Sequence, residues 1–477
     1  MVNHTDKILL DYIANKLIKQ AGLYPENCFL LANSLYFKKQ CQYSSGKTAM
    51  THALQNKIYT ISKKYGQRLG FDLPYFVKNG FWVSLRQGVG SICSLALSIA
   101  FARLATQEVF GQYQFVLSVL SIVSILSIPG LNVAIAQSVA RGYDGDYKKA
   151  VKISFLWSLL GVPTLLVIGG YYYIFQSHSL GITLMISSMF FPFFYAPNTW
   201  DAFLQGKSRF DISTKYSLIQ AILNMLATIG IIFFNANNLI PITVVYFISY
   251  TFFNGYYYFK SLKYIENGRS DEDTLKYGWF LTKISVAGVI AENVDKIIIG
   301  ILISPAAVAV YYVISAVPLK IKDGLKPFYN LFFPKLSQDS FSIKEFLGRK
   351  KRFIFLAGLL LLGIAGIFYL FIGKINYLLF GNSYVDFYKY SKWYAIMIFF
   401  MTPVNFLGKY VFAKKETQTL RLLNVFYPFL KITVTGAFIY LWGIAGAVLA
   451  SNVNMAVYFL IYLIALISNR GKSIRSL

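Results

Sequence analysis

Long apolar stretches follow one another along the chain from Phe81 onward. Each runs for 20 residues or more, which is enough for a helix to cross the ~30 Å hydrocarbon core of a bilayer. The pattern therefore predicts an all-α integral membrane protein with about twelve transmembrane helices. The predicted spans are residues 81–103, 110–137, 152–175, 179–204, 211–235, 238–260, 277–303, 306–333, 353–373, 391–412, 421–441 and 443–467.

The connections between these spans alternate in charge. Those near 176–178, 236–237, 304–305 and 442 contain no Lys or Arg. The intervening connections, together with the two ends of the chain, hold 35 of the 46 Lys and Arg residues. Because the cytoplasmic segments of membrane proteins are enriched in Lys and Arg, the pattern predicts that both termini lie in the cytoplasm.

The chain also divides into two halves of six spans each. Residues 261–276 are the most polar segment after residue 80, and they separate the sixth span from the seventh. Leu104–Tyr113 and Leu302–Tyr311 occupy equivalent places in the two halves and share a few residues. Since internal repeats are common in secondary transporters, we predict two repeated six-helix lobes around a central cavity. The predicted domains are a first lobe at 81–262, a linker at 263–276, a second lobe at 277–468 and a cytoplasmic tail at 469–477.

Residues 1–80 form a basic extension with eleven Lys and Arg against four Asp and Glu. Apolar residues recur every three to four positions within it, which predicts cytoplasmic amphipathic helices. Such helices could bind anionic lipid or form a cap on the loops of the protein itself, and the sequence leaves both open. No secretory signal is expected. Ser45–Thr48 matches the end of a phosphate-binding loop, but Cys41 stands where that motif requires glycine, so nucleotide binding is not predicted.

Composition narrows the chemistry. The chain is 56% hydrophobic and 14% charged with a net charge of +26, so it is not a soluble enzyme, and nucleic acid is not an expected partner. Three cysteines and three histidines lie in no metal-binding spacing, so we predict no metal, no disulfide framework and no enzymatic activity. These residues are Cys28, Cys41, Cys93, His4, His52 and His178.

Charged residues inside the predicted spans are the candidate site, since each costs about 2.5–3.5 kcal/mol near the bilayer centre. Spacing predicts that Glu292 pairs with Lys296 and that Asp323 pairs with Lys326. The candidate substrate-binding cations are Arg86, Lys283, Lys296, Lys320, Lys322 and Lys326, and the candidate ion-coupling acids are Glu292, Asp295 and Asp323.

These cations predict a cavity between the lobes, lined by the first, seventh and eighth helices, for an anionic substrate such as a diphosphate. The alternative is that Arg86, Lys283 and Lys326 extend to the cytoplasmic interface. Pro318 and Pro327 flank the lysine cluster and favour a bent eighth helix. The acids could bind Na⁺ or H⁺ as a coupling ion, and no other cofactor is expected.

Several short motifs resemble one family. Their order along the chain is similar to that of the lipid-linked oligosaccharide flippases, the polysaccharide-transport branch of the multidrug/oligosaccharidyl-lipid/polysaccharide exporter superfamily. The resemblance covers roughly residues 76–470. The motifs are Phe101–Leu104, Phe110–Tyr113, Pro129–Asn132, Gln137–Gly142, Leu204–Phe210 and Asn293–Gly300.

The resemblance implies a flippase that moves an undecaprenyl-diphosphate-linked oligosaccharide, such as an O-antigen unit, from the cytoplasmic to the outer leaflet of a bacterial inner membrane. It implies alternating access between two lobes. Arg86, Lys283 and Lys296 would correspond to the cation-lined cavity of the family. Glycan polymerases or other proteins of cell-envelope polysaccharide biosynthesis are open as partners. The 80-residue extension departs from the short N-terminus of the family.

Two other functions stay open. A drug or cation antiporter of the same fold would need acids to dominate its cavity, whereas cations outnumber acids here. A membrane glycan polymerase or ligase would need charged groups on its outer loops. In the longest predicted outer loop, residues 374–391, Asp386 is the sole acid, so this alternative is less favoured.

Overall fold

The computed structural model describes residues 73–336, 348, 350–414 and 416–468. The predictions for the extension before residue 73 and for the tail 469–477 lie outside these residues. The described chain is helical and contains no strand. The helices of the first half are α1 (Leu73–Leu104), α2 (Gln107–Val123), α3 (Gly130–Ala140), α4 (Gly145–Ser158), α5 (Gly161–Phe175), α6 (His178–Tyr195), α7 (Trp200–Gly206), α8 (Phe210–Phe234) and α9 (Leu239–Ser261).

The second half begins after a short 3₁₀ turn at Leu262–Tyr264 and a non-helical linker. Its helices are α10 (Asp273–Leu302), α11 (Pro305–Leu336), α12 (Lys351–Phe380), α13 (Tyr388–Ser391), α14 (Tyr394–Ala413), α15 (Thr417–Arg421) and α16 (Tyr427–Ser468). α16 contains a break at Gly443, where φ is +57°. This break lies at the first residue of the twelfth predicted span.

The predicted all-α membrane fold is confirmed. Within the described residues, ten helical segments are long and apolar enough to cross a membrane, and one of them, Gln418–Leu466, covers the last two predicted spans. α10 is not among the ten, since it carries several charged residues. The ten segments cover eleven of the predicted spans, and α10 corresponds to the remaining one, the seventh.

Proline marks breaks in the second and fourth spans. The second divides into α2 and α3 at Pro129, where the preceding Ile128 has a φ of +55°. The fourth divides into α6 and α7 at a 3₁₀ turn that begins at Pro197. The eighth span, which contains Pro318 and Pro327, forms one continuous helix, α11.

Three cation-rich connections of the first half meet at one end of the helices. Lys207 Nζ lies 2.8 Å from Asp144 Oδ2 and 3.1 Å from Glu266 Oε2. The Gly145 amide donates to the Arg269 carbonyl over 2.8 Å. Burial lowers the pKa of Lys207, and the hydrogen bonds to the two carboxylates together raise it by a larger amount. The pKa of Lys207 therefore lies above its ordinary value. The connections thus share one surface, as their alternation in sequence requires.

The two halves pack closely along the second span. A Cβ atom on Gly111 of α2 would lie 1.7 Å from the Pro305 carbonyl oxygen at the start of α11. A Cβ atom on Gly130 of α3 would lie 2.3 Å from the Gly278 carbonyl oxygen of α10. Glycine therefore allows backbone-to-backbone contact between the halves at two separate places, as small residues do in membrane helix packing.

The substitution Gly111→Ala tests this packing. The added methyl group must push α2 and α11 apart, so we expect a loss of about 1–3 kcal/mol of stability and a melting temperature lower by several degrees in the purified protein. Gly230→Ala is the matched control, because nothing lies within 4 Å of the added Cβ and alanine favours a helix by about 1 kcal/mol. Equal melting temperatures for the two variants would contradict the close approach.

Candidate functional site

A cavity of about 370 Å³ lies among α1, α7, α8, α9 and α11. Its charged lining residues are Arg86, Lys320 and Asp323, and we call it the charged chamber. All three belong to the halves of their helices nearest the cation-rich connections. The structure therefore brings Arg86 of α1 together with Lys320 and Asp323 of α11, which lie more than 230 positions later in the sequence, as the cavity hypothesis requires for these two helices.

Arg86 has an acidic partner that the sequence interpretation missed. Its Nη1 donates to Asp201 Oδ1 over 2.6 Å and to Ser213 Oγ over 3.2 Å. Asp201 Oδ2 also accepts from Gln205 over 2.8 Å. Asp201 lies inside the fourth predicted span, so it should have been counted with the intramembrane charges. Its pairing with Arg86 depends on packing between α1 and α7, which no local spacing indicates.

Lys320 lies at the boundary between this chamber and a second one. Its Nζ donates to the hydroxyl of Ser94 on α1. None of the ion pairs within the described part of the chain includes Lys320. Asp323, one turn further along α11, lines the same chamber. Lys320 is therefore a half-buried ammonium with a neutral hydrogen-bond partner.

The second cavity, of about 240 Å³, continues from the first and shares Gly90, Ala221 and Tyr250 with it. Its lining includes no charged side chain and contains four tyrosines. We call it the tyrosine chamber. The tyrosines are Tyr113, Tyr246, Tyr250 and Tyr312.

Stacked aromatic rings close the far end of the tyrosine chamber. Phe101 stacks on Tyr113 with ring centroids 4.4 Å apart and on Phe110 at 5.1 Å. Beyond them, Arg103 Nε of α1 donates to the Leu379 carbonyl near the end of α12 over 2.8 Å. The two halves are therefore joined at the end of the molecule that lies opposite the cation-rich connections.

The seventh span does not contribute to either chamber, contrary to the sequence-based hypothesis. α10 packs against the second span: Asn293 Nδ2 donates to Ser121 Oγ over 3.0 Å, and the Gly130 amide donates to Thr282 Oγ1 over 3.0 Å. This contact turns the helix away from the chambers. Lys283 is exposed, and Lys296 is half-buried elsewhere on α10.

The predicted ion pair between Glu292 and Lys296 is wrong, since the ion pairs found in the described ranges do not include it. Glu292 is exposed, so its carboxylate is not drawn into the helix packing. Lys322 is half-buried and lines neither chamber. The side chain of Lys326, and with it the predicted pair with Asp323, lies outside the described residues.

Asp295 belongs to a polar cluster in the second half. Its Oδ2 accepts a 2.7 Å hydrogen bond from Tyr311, whose hydroxyl lies 3.5 Å from Ser451 Oγ. The hydroxyl of Tyr394 is also buried and lies beside Tyr311, Ser451 and Ser315. No group of three or more potential metal-ligating residues occurs among the described residues.

The fold and the cavity define a class: a multi-pass membrane protein with the architecture of the MOP superfamily transporters. A multidrug resistance MATE family transporter in an inward-facing conformation is 13% identical, with a TM-score of 0.60 over 81% of this chain and 99% of that chain. The lipid II flippase MurJ in an inward closed conformation is 15% identical, with a TM-score of 0.58 over 80% of this chain and 87% of that chain.

A family model narrows the class. The chain belongs to the polysaccharide biosynthesis protein family, whose model matches residues 76–338, more than half of the sequence. A MOP superfamily transporter from Pyrococcus furiosus also shares the fold, at 12% identity and a TM-score of 0.54 over 83% of this chain and 96% of that chain. No curated protein sequence matches this chain significantly. The predicted family resemblance is thus confirmed.

Proposed function

We propose that this protein moves an undecaprenyl-diphosphate-linked oligosaccharide from the cytoplasmic to the outer leaflet of a bacterial inner membrane, without chemical change to the glycan. The observation that carries the proposal is the charged chamber, which is lined by both Arg86 and Lys320. Lys320 takes part in none of the salt bridges of the described ranges. Phosphate oxygens accept strong charge-assisted hydrogen bonds from such groups. Membership of the polysaccharide biosynthesis family supports a glycan-bearing substrate.

Alternating access supplies the movement in this proposal. The diphosphate enters the charged chamber from the side of the cation-rich connections, while the polyprenyl chain stays in lipid. The aromatic stack and the Arg103 contact close the opposite end, and they must separate before release. An inside-negative potential favours outward movement of an anion by about 2.3 kcal/mol per charge per 100 mV.

The orientation follows from the same proposal. The end that carries the cation-rich connections and the linker faces the cytoplasm, and the same charge rule assigns both termini to that side. The basic extension 1–80 would then lie beside anionic lipid headgroups, where each Lys or Arg contributes about 1 kcal/mol of attraction.

A drug or cation antiporter is the second candidate, and a specific observation argues against it. The tyrosine chamber is neutral and the charged chamber holds two cations against one acid among its lining residues. Mass spectrometry of the protein, purified gently from its own membranes, separates the two functions. The flippase predicts a co-purified polyprenyl-diphosphate glycan. A bound organic cation and no such lipid would contradict the proposal.

Asp295 is our candidate for the coupling ion, as a site for H⁺ or Na⁺. A carboxylate in the hydrocarbon region is costly when charged, and its hydroxyl partners could share a bound cation. We expect Asp295→Asn to abolish the dependence of translocation on a pH or Na⁺ gradient in proteoliposomes. The control is Glu292→Gln, an exposed carboxylate on the same helix, which should keep that dependence. An Asp295→Asn variant that still responds to the gradient would exclude this residue.

A further inference from the structure

The tyrosine chamber differs in chemistry from the charged chamber beside it. None of its 15 lining residues carries a charge, and five of them are aromatic. It therefore offers nothing to the phosphates of a lipid diphosphate. Its chemistry instead suits a neutral ligand with both apolar faces and hydroxyl groups, because a tyrosine ring presents an apolar face and a polar edge.

Polar groups in this chamber lack partners within the protein. Gln114 is 7% exposed, and no hydrogen bond to its side-chain amide occurs in the described part of the chain. Asn224, 3% exposed, donates from Nδ2 to the Tyr246 carbonyl over 3.2 Å, which leaves its Oδ1 as an acceptor. Buried amides are nearly always hydrogen-bonded in folded proteins, so these two point to a ligand or to bound water.

Tyr250 connects the two chambers. Its ring lines both of them, and its hydroxyl makes no hydrogen bond with another described residue. Some polar side-chain atoms of the described residues are fully enclosed by protein and lack a hydrogen-bond partner. The unpaired atoms of Gln114, Asn224 and Tyr250 are not among these enclosed atoms. A ligand in the tyrosine chamber can therefore reach an amide donor, an amide acceptor and a hydroxyl at the same time.

We infer that the tyrosine chamber binds a single neutral sugar ring, the one attached directly to the diphosphate. This inference rests on the proposed function. The ring would lie with its C–H face against the tyrosines while Gln114, Asn224 and Tyr250 bond to its hydroxyl groups. At about 240 Å³, the chamber is smaller than the ~300–1,000 Å³ of sites for drug-sized ligands. It has room for one ring, so the sugars beyond the first would lie outside this chamber.

Binding measurements with defined lipids test the inference. The probes are undecaprenyl diphosphate alone and the same lipid carrying one glucose, galactose or N-acetylglucosamine, titrated against the purified full chain in nanodiscs. The wild-type protein should bind at least one glycosylated probe severalfold more tightly than the bare lipid. Gln114→Leu and Tyr250→Phe should each lower the preference for that glycosylated probe over the bare lipid about two- to tenfold, the usual effect of one lost hydrogen bond.

Tyr384→Phe is the matched control. Tyr384 is 1% exposed, its hydroxyl also lacks a partner among the described residues, and it lines neither chamber. Its substitution should change no affinity. If Gln114→Leu fails to fold, Tyr250→Phe alone carries the test, because it removes one oxygen.

The failures are distinguishable. Equal wild-type affinity for all four probes would overturn the sugar site and leave the flippase proposal standing. The same conclusion would follow if the variants bound the preferred glycosylated probe as tightly as the wild type does. Wild-type protein that binds none of the probes would overturn the proposed function and the sugar site together.

Discussion

Replacing Lys320 by methionine is expected to reduce glycan translocation at least tenfold while the protein still folds and inserts. A hydrogen bond to a charged group contributes about 1.5–3 kcal/mol, and a loss of 1.4 kcal/mol corresponds to about a tenfold change. Methionine keeps the length and apolar stem of the side chain. Because no ion pair in the described residues depends on Lys320, its removal leaves no carboxylate without its salt-bridge partner. Export of glycan in a strain that lacks the native gene measures the effect.

Two variants complete this test. Lys320→Arg retains the charge and should keep most of the translocation activity. Lys283→Met removes an intramembrane cation that is exposed and lies away from both chambers, so its export should stay near the wild-type level. Export by Lys320→Met at the level of Lys283→Met would contradict the role of the charged chamber.

The pair formed by Arg86 and Asp201 is expected to show the second large effect. Arg86→Met should cost about 1–3 kcal/mol of stability, less than the ~3–5 kcal/mol of a fully buried pair, because the Arg86 side chain is 36% exposed. Translocation should fall at least tenfold as well. Only Nη1 of Arg86 is engaged by Asp201 and Ser213, so Nε and Nη2 remain for a phosphate group.

A double variant separates the two roles of Arg86. The variant Arg86→Met/Asp201→Asn contains no carboxylate that lacks a counter-ion. The asparagine side chain can still form hydrogen bonds with Ser213 and Gln205. Its melting temperature should return close to the wild-type value, while translocation stays low. Recovery of translocation together with stability would show that Arg86 serves packing and not the substrate.

Much of the fold could be predicted from hydropathy, because membrane spans are set by length and apolarity. The twelve predicted spans correspond to the observed helices, and Pro129 and Pro197 mark observed breaks. Pro318 does not break α11, because a proline in a membrane helix can be accommodated without ending it. The predicted first span begins at Phe81, two residues after the start of the apolar segment Asn79–Leu104 of α1.

The site was less accessible to sequence reasoning, because it depends on helix rotation and long-range contacts. Arg86 and Lys320 were identified as charges in apolar surroundings, and they do line one chamber. Lys296 is likewise a charge in apolar surroundings, but contacts between α10 and the second span keep it away from both chambers. Asp201 is 115 positions from Arg86, and no local pattern could pair them.

The tyrosine chamber illustrates the same limit. Tyr113, Tyr246 and Tyr312 come from three different helices, and the sequence contains 36 tyrosines. Most of these are expected at the membrane interfaces, where tyrosine is enriched. Only the packing of α1, α2, α8, α9 and α11 distinguishes the few that line a cavity.

Reconstitution tests the central claim most directly. Purified protein is placed in liposomes that contain an undecaprenyl-diphosphate glycan in the inner leaflet, and an impermeant glycosidase added outside reports each glycan that crosses. The account predicts that wild-type protein exposes the glycan well above protein-free liposomes, and that Lys320→Met stays near that background. Exposure equal to the protein-free background with the wild type, or equal rates for wild type and Lys320→Met, would contradict it.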